Sequence, residues 1–351
     1  MVFFHHTCFT DLNPTQWGPA VKLLYKFSEI GMRGVDLFFV LSGFLITSLL
    51  IKDRASTSYY QDFYWKRALR ILPLYILCLL GVVLFVPHAR AEALLSAFFI
   101  VNFAQLFHVV TEGPFWTLAI EEQFYILWPT VVRRRSVEQL TRWALVIGLS
   151  ANVLRFVAAC FGHYNYRLTF LRCDGLAAGA LLACWFERRQ NTPLTRREAT
   201  NLTLASALGV VCLIGRLFMP ATPRGIAFDA DLYQTGVILL AGSAIAYILV
   251  NQGSPLLAIF RSRILLFFGL ISYAMYMTHI YVLMGYTALR GTVPGGDSIS
   301  LAVRFFSVLG TTIALTLITR YLIELPAISL RRFVLKKPAP PAEIEAPLLA
   351  S

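Results

Sequence analysis

Charged residues are scarce in this chain. Only 14% of its 351 residues are charged and 57% are hydrophobic, whereas a typical soluble domain has about 25% charged residues. The charge is also uneven, with 31 Lys and Arg against 19 Asp and Glu, which gives a net charge of +12. This composition excludes an ordinary soluble domain and predicts a membrane protein. The excess of basic residues is then explained by cytoplasmic loops, so it does not indicate nucleic-acid binding.

Metal-binding and redox motifs are missing as well. The six cysteines form no CxxC pair, have no neighbouring His cluster, and lie mostly inside apolar runs. Free cysteine behaves as a small buried hydrophobe, so we expect no metal site. The sequence shows no internal repeat and no soluble second domain. We therefore expect one membrane domain over residues 1–337 and a disordered, Pro-rich tail over residues 338–351.

Long apolar runs dominate the chain. A helix needs about 20 apolar residues to cross a bilayer, and many such runs in one chain indicate a polytopic bundle. Ten runs approach this length: Gly34–Ile51, Ile71–Val86, Ala93–Val110, Phe115–Val132, Trp143–Phe161, Leu168–Phe186, Asn201–Met219, Tyr233–Val250, Ile264–Tyr286 and Leu301–Ile323. The sequence thus predicts an all-α, transmembrane helical bundle of about ten spans.

Basic segments between the runs predict which loops are cytoplasmic. They are Lys52–Arg70, Arg133–Arg142, Arg188–Arg197, Arg261–Arg263 and Arg331–Lys337. An even number of runs separates each neighbouring pair except the first, where three runs intervene. One of those three is therefore expected not to cross fully; the polar candidates are Asn102, Gln105 and His108 in one run and Glu121, Glu122 and Gln123 in the next. Because broken segments survive at membrane depth only beside protein or a watery cavity, we expect a cavity here.

The amino terminus reads as the end of a truncated first helix. Only four apolar residues precede His5, with no basic segment or cleavage site of a signal peptide. With Lys52–Arg70 in the cytosol, the segment from Asp11 to Arg33 would lie outside, so the chain before His5 would have to cross outward. We expect the upstream sequence to continue in frame with about 15 more apolar residues.

Several segments carry a family resemblance, in a fixed order along the chain. They are Val2-Phe3-Phe4-His5; Gly34-Val35-Asp36 with Phe38-Phe39-Val40-Leu41-Ser42-Gly43-Phe44; Arg67-Ala68-Leu69-Arg70 with Pro73; Phe115-Trp116-Thr117 with Glu121-Glu122-Gln123-Phe124-Tyr125; Arg172-Cys173-Asp174 with Gly179; Ser272-Tyr273 with Tyr276 and His279; and Tyr321 with Glu324-Leu325-Pro326. Together they resemble the membrane acyltransferase 3 family, over His5 to Arg332. These polytopic O-acyltransferases modify bacterial surface glycans, macrolides and related acceptors.

The resemblance implies a function. It would be transfer of an acetyl or other acyl group from acyl-CoA, acetyl-CoA above all, to a hydroxyl of a glycan or another small acceptor. The expected partners are acyl-CoA, the acceptor and membrane lipid, in a multi-pass protein of the bacterial inner membrane. In the family the first helix also carries an arginine before its histidine, and that position would precede Met1.

The His5-His6 doublet is the candidate general base. Acyl transfer to a hydroxyl needs a group that takes the hydroxyl proton, and imidazole does so near neutral pH. The resemblance leaves the family histidine ambiguous by one position, and the Val-Phe-Phe segment before His5 favours His5. The alternative is an interfacial histidine bonded to headgroups or water.

Glu121 is the candidate partner of that base. In a helix it shares a face with Thr117, Tyr125 and Trp128, whereas Glu122 lies on another face. We expect Glu121 to face the cavity and to orient or pair with the histidine, as the third member of a triad does. The alternative is an ion pair with an arginine that joins two helices.

Arg67 and Arg70 are the candidate cofactor-binding residues, because guanidinium groups beside a span can hold the phosphates of an acyl-CoA. The positive-inside rule alone is the alternative explanation. Further candidates for the substrate path are Asp36, Ser42, Arg172, Asp174, Tyr276 and His279.

Spacing adds detail to these candidates. Arg172 and Asp174 lie two positions apart and cannot pair within a helix, so Arg155 is the predicted partner of Asp174. Ser272, Tyr276 and His279 form a polar stripe that either lines the acceptor path or bonds a neighbouring helix. Asp36 alternatively serves only the dipole of its helix.

Two function classes remain. One is the membrane O-acyltransferase, and the other is a transporter or flippase that uses the same buried charges as a substrate or proton path. A transporter is expected to have pseudo-symmetric halves, and the sequence shows none.

Overall fold

The structure is a computed structural model that describes residues 2–9, 18, 21, 23–25, 28, 31, 33–86, 88–111, 113–162, 165–189, 192–215, 223–291 and 298–334. The Pro-rich tail at 338–351 and most of the segment from Asp11 to Arg33 lie outside the described residues. The helices are α1 (Val2–Phe9), α2 (Gly34–Lys52), α3 (Tyr59–Phe85), α4 (Arg90–Ala97), α5 (Phe115–Arg134), α6 (Val137–Cys160), α7 (Thr169–Arg172), α8 (Asp174–Arg189), α9 (Arg196–Gly215), α10 (Pro223–Val250), α11 (Arg263–Arg290), α12 (Ser298–Thr319), α13 (Leu325–Ser329) and α14 (Arg331–Val334). Short 3-10 helices occupy Val101–Phe107 and Pro255–Arg261, and one π-helical turn occupies Arg320–Glu324. The described residues therefore form an all-α fold.

Among the residues that the structure describes, seven helical segments are long and apolar enough to cross a membrane. They are Gly34–Lys52, Tyr59–Phe85, Val137–Cys160, Arg196–Gly215, Asp231–Val250, Arg263–Arg290 and Ile299–Val334. The remaining three of the ten apolar runs fall short for different reasons. Ala93–Val110 is broken, α5 has Glu121 and Glu122 at its centre, and α8 has only 16 residues. The molecule is an integral multi-pass membrane protein, and the predicted count of about ten spans is not reproduced.

The run Ala93–Val110 does not form one helix. α4 ends at Ala97, Phe99 adopts a left-handed backbone with φ of 54°, and the following 3-10 helix ends at His108 with φ of 55°. A non-glycine residue with positive φ interrupts a helix. The run Ala93–Val110 is thus broken, as the sequence predicts for one of the runs between the first two basic segments.

α2 and α8 pack in backbone contact at the centre of the bundle. A Cβ added to Gly43 would overlap the Leu176 carbonyl oxygen, and one added to Gly179 would overlap the Val40 carbonyl oxygen. Glycines spaced by four, here Gly175 and Gly179, allow this close approach between membrane helices. Because position 175 lies beside Asp36 and Phe39, and position 179 beside Val40 and Phe44, the two helices run parallel.

The remaining contacts bring the polar residues together. α6 packs against α8 and α10, α10 packs against α2 and α8, and α5 packs against α2. α1 lies against α11 and α12, and His6 of α1 meets His279 of α11. The short α14 lies against the first turns of α3 and brings the carboxyl-terminal basic residues to Arg67.

Candidate active site

A hydrogen-bonded pair of histidines joins α1 to α11. Nδ1 of His6 lies 2.9 Å from Nε2 of His279, and the two rings are nearly coplanar, with an angle of 6° between them. His279 is buried and His6 is partly exposed. Phe3 packs against the His279 ring at 5.9 Å, which seats α1 on α11.

The backbone fixes which nitrogens of this pair carry protons. Nδ1 of His279 lies 2.7 Å from the carbonyl oxygen of Tyr276, and only an N–H can bond to a carbonyl oxygen. With neutral rings, Nε2 of His279 is therefore an acceptor, and Nδ1 of His6 must donate to it. This leaves the lone pair of His6 on Nε2, so Nε2 is the atom of His6 that can accept a proton.

His5 has different surroundings. It is buried, and its Nδ1 lies 2.9 Å from the Ser28 hydroxyl, which itself donates to the Tyr25 carbonyl oxygen. The His5 ring also contacts the rings of Phe9 and Tyr25. These contacts tie α1 to the segment that follows it.

The stripe predicted on α11 is partly wrong. Tyr276 and His279 bond neighbouring helices, since the Tyr276 hydroxyl lies 3.0 Å from Thr117 Oγ1 on α5. Ser272 instead is exposed and donates to the Gly269 carbonyl oxygen of its own helix. A serine that bonds its own backbone contributes nothing to a path or an interface.

Glu121 lies in a buried cluster with Tyr125 and Ser42. The Tyr125 hydroxyl donates to Glu121 at 2.9 Å, and the Ser42 hydroxyl bonds both Tyr125 and Glu121. The predicted helix face is confirmed, because Glu121 is 2% exposed together with buried Thr117, whereas Glu122 lies on another side. The expected contact of Glu121 with a histidine is wrong among the described residues. Tyr125, one turn away on the same helix, takes that place.

Arg67 joins this cluster to the basic end of the molecule. Its Nη2 lies 3.2 Å from Glu122, and its guanidinium stacks on the Tyr125 ring at 3.5 Å. Nε of Arg67 is buried without a hydrogen-bond partner among the described residues. Arg70, one turn further along α3, is exposed, and Arg331 donates to the Lys66 carbonyl oxygen beside them.

Asp36 and Arg172 form a buried ion pair between α2 and α7. Their charged atoms lie 2.6 Å apart, and both side chains are almost fully buried. Gln234 of α10 completes the cluster, because its Nε2 donates to Asp36 at 2.8 Å and its Oε1 accepts from Arg172. Breaking such a pair leaves an uncompensated buried charge, which costs about 3–5 kcal/mol.

A second buried cluster contains Arg155 and Asp174, as the spacing of the sequence predicts. Nη1 of Arg155 lies 2.7 Å from Asp174, and its Nε lies 2.8 Å from Asp231 of α10. Arg155 also donates to the Leu171 carbonyl oxygen at 2.9 Å. Asp36, Arg172 and Asp174 thus have partners inside the protein, which favours a role in joining helices over a substrate path.

The sequence alone did not single out Gln234 and Asp231. Asp231 lies two residues before the run Tyr233–Val250, and Gln234 is the second residue of that run. A polar residue at the edge of an apolar run was the only sign in the sequence that these two residues have a role.

Comparison with known proteins identifies the family of this chain. A family described as an acyltransferase domain matches residues 1–321. A peptidoglycan O-acetyltransferase OatA of Listeria monocytogenes is 27% identical over 291 residues, which are 74% of this chain and 46% of the relative. An O-acetyltransferase OatA of Staphylococcus aureus is 27% identical over 293 residues, 75% of this chain and 48% of the relative.

The chain therefore spans about half the length of these curated relatives. No solved structure matches it. The matched region includes the histidine pair, the Glu121 cluster and both buried ion clusters. Because the family match extends over residues 1–321, this chain belongs to the acyltransferase domain family.

Proposed function

We propose that this protein is an integral-membrane O-acetyltransferase of the bacterial inner membrane. It would transfer an acetyl group from acetyl-CoA to a hydroxyl group of a cell-surface glycan. The observation that carries the proposal is the His6–His279 pair, because it leaves an unprotonated imidazole nitrogen on a partly exposed ring inside an apolar bundle.

His6 is the proposed general base. Its Nε2 takes the proton of the acceptor hydroxyl while the hydroxyl oxygen attacks the thioester carbonyl carbon. Collapse of the tetrahedral intermediate breaks the carbon–sulfur bond, and the coenzyme A thiolate leaves with the proton that His6 accepted. His279 is a positioning residue in this scheme, since it contacts His6 and fixes its tautomer. We prefer His6 to His5 because the His5 ring is buried against Ser28 and Phe9.

Glu121 is proposed to support the histidine pair through its neighbours. It holds the Tyr125 and Ser42 hydroxyls, and it lies one helical turn from Thr117, whose hydroxyl bonds Tyr276. Tyr276 supplies the carbonyl oxygen that orients His279. Through these contacts the Glu121 carboxylate stabilises the part of α5 that bonds Tyr276 and so supports the histidine pair.

The donor is proposed to approach the histidine pair from the basic end. Arg67 has a buried Nε without a partner among the described residues, Arg70 is exposed, and Arg331 lies beside both. Guanidinium groups in this arrangement suit the phosphates of a coenzyme A derivative. Arg67 also contacts Glu122 and Tyr125, so the same residue links the donor end to the buried cluster.

The proposed acceptor is a glycan hydroxyl. The Listeria relative carries the name of a peptidoglycan O-acetyltransferase, and the present chain covers only 46% of it. Peptidoglycan fragments are therefore the first acceptor to test.

The experiment that tests the function separates a transferase from a transporter. Purified full-length chain in detergent, where no gradient exists, is incubated with [¹⁴C]acetyl-CoA, with and without soluble peptidoglycan fragments. We expect release of labelled acetate, and labelled saccharide when acceptor is present, with both lost in His6→Ala. If the protein instead releases no labelled acetate in detergent but moves a labelled saccharide across the membrane of vesicles, it is a transporter.

A further inference from the structure

A polar cavity lies outside the site described above. It has a volume of about 370 Å³, within the range of roughly 300–1,000 Å³ found for ligand pockets. The 3-10 helix Val101–Phe107 and the segment 165–167 line it. Its polar and aromatic lining residues are Asn102, Gln105, Thr111, Asn165, Tyr166 and Arg167.

A closed set of hydrogen bonds holds the floor of this cavity. Nε2 of Gln123 donates to Asn102 at 2.9 Å and to the Phe99 carbonyl oxygen at 2.6 Å. Asn102 donates to the Thr169 hydroxyl at 2.8 Å, which in turn donates to Gln123 at 2.5 Å. Amides fixed in this way present their remaining groups in one orientation, so a ligand does not have to order them.

The rim of the cavity offers groups that are still available. The Gln105 side chain is exposed and makes no hydrogen bond to any described residue. Arg167 is held in place, because its Nε donates to the Tyr166 hydroxyl at 3.0 Å and its Nη1 donates to Thr111. The Tyr166 ring packs edge-on against Trp116 at 5.5 Å.

The chemistry of this lining suits a sugar. Amide groups both donate and accept, as do sugar hydroxyls, and Arg supplies further donors in a fixed geometry. A half-exposed tyrosine adds a flat apolar surface with a polar edge. A purely lipid ligand would leave the amides and the guanidinium without partners, which is costly.

The cavity is also close to the proposed reaction site and at the right end of the molecule. Trp116, which contacts Tyr166, precedes Thr117, and Thr117 bonds Tyr276. α6 starts within the basic segment Arg133–Arg142 and ends at Cys160, five residues before Asn165 of the cavity, so the cavity lies at the end opposite the cytosolic one.

We infer that this cavity is a saccharide subsite, which holds a sugar unit of the acceptor on the extracytoplasmic side and directs a hydroxyl toward His6. The inference rests on the proposed transferase function and goes beyond it by assigning residues to acceptor binding. Gln105 and Arg167 are the specificity-determining residues, and neither touches the reacting atoms.

The test measures binding and donor chemistry separately. Equilibrium dialysis with a radiolabelled soluble peptidoglycan disaccharide is applied to the purified full chain, to Gln105→Ala and to Arg167→Gln. The matched control is Gln252→Ala, an exposed glutamine in the loop after α10, at the opposite end. Hydrolysis of acetyl-CoA without acceptor is measured for all four proteins.

Each cavity variant is expected to weaken saccharide binding about fivefold or more, as the loss of one or two hydrogen bonds implies. Gln252→Ala should bind as the unaltered chain does, and acetyl-CoA hydrolysis should stay within about twofold in every variant. Unchanged affinity in both cavity variants, or no saccharide binding by the unaltered chain, overturns the subsite. Loss of binding in the cavity variants without acetyl-CoA hydrolysis by any protein would uphold the subsite and refute the transferase.

Discussion

The His6 ring donates from Nδ1 to Nε2 of His279, a residue 273 positions later in the chain. The bond joins the first described helix to α11, and its direction is set by the Tyr276 carbonyl oxygen. Because the pair forms only when α1 is docked against α11, the proposed base exists only in the assembled bundle. The predictions below follow from this dependence and from the contacts around it.

His279→Ala is predicted to reduce kcat about tenfold or more with little change in the KM for acetyl-CoA. The substitution removes the acceptor that fixes the tautomer of His6, and general-base catalysis contributes about 10²–10⁴ in rate. His279→Gln retains an acceptor oxygen and should recover part of the rate. Steady-state kinetics on both variants check this, and equal losses in Ala and Gln would indicate a packing role only.

Glu121→Gln is predicted to lower transfer more than Glu122→Gln does. Glu121 is buried and holds the Tyr125 hydroxyl, whereas Glu122 is half-buried and bonds Arg67. The Glu122 variant should mainly change the KM for acetyl-CoA, because its partner is a proposed donor-binding residue. Measured kcat and KM separate the two effects, and a larger kcat loss at Glu122 would refute the assignment.

Arg67→Glu and Arg70→Glu are predicted to weaken acetyl-CoA binding, each about tenfold, since a charge reversal replaces a phosphate contact with repulsion. Added salt should weaken binding to the unaltered chain in the same direction. Arg135→Glu, an exposed arginine after α5 at the same end, serves as the control. If all three reversals have the same small effect, these arginines serve membrane topology alone.

Gly43→Ala and Gly179→Ala are each predicted to destabilise the bundle by about 1–3 kcal/mol, because the added methyl overlaps a carbonyl oxygen of the facing helix. Gly269→Ala is the matched control, a helical glycine of α11 with no neighbour near its Cβ position. It should be neutral or slightly stabilising. Thermal unfolding in detergent, followed by intrinsic fluorescence, measures all three. A control that loses as much as the other two would exclude helix contact as the cause.

The sequence predicted the parts of this molecule that depend on local spacing. Arg172 and Asp174 lie two positions apart and cannot pair on one helix, so Arg155 was the predicted partner of Asp174. The structure confirms this pair. The helix face of Glu121 followed in the same way. The run Ala93–Val110 was identified as a candidate break from its polar residues and from the order of the basic segments, and a polar cavity does lie beside Asn102 and Gln105.

The spacing of residues in the sequence does not predict contacts between helices that are far apart in the chain. Gln234 and Asp231 come from α10 and meet Asp36 and Arg155 only after the bundle packs. The partner of His6 lies on α11, and nothing in the local sequence distinguishes His6 from His5 until both rings have neighbours. Spacing also does not show which helices lie beside Glu121. It was expected to meet a histidine, but it accepts a hydrogen bond from Tyr125 of its own helix.

The most direct measurement of the central claim compares His6→Ala with His5→Ala in acetyl transfer from [¹⁴C]acetyl-CoA by the purified full chain. His6→Ala should reduce kcat by about 10²-fold or more, because it removes the proton acceptor. His5→Ala should retain activity within about tenfold, with any loss matched by a lower unfolding temperature, since its contacts hold α1 to Ser28. Full activity in His6→Ala together with an inactive but stable His5→Ala would contradict the account.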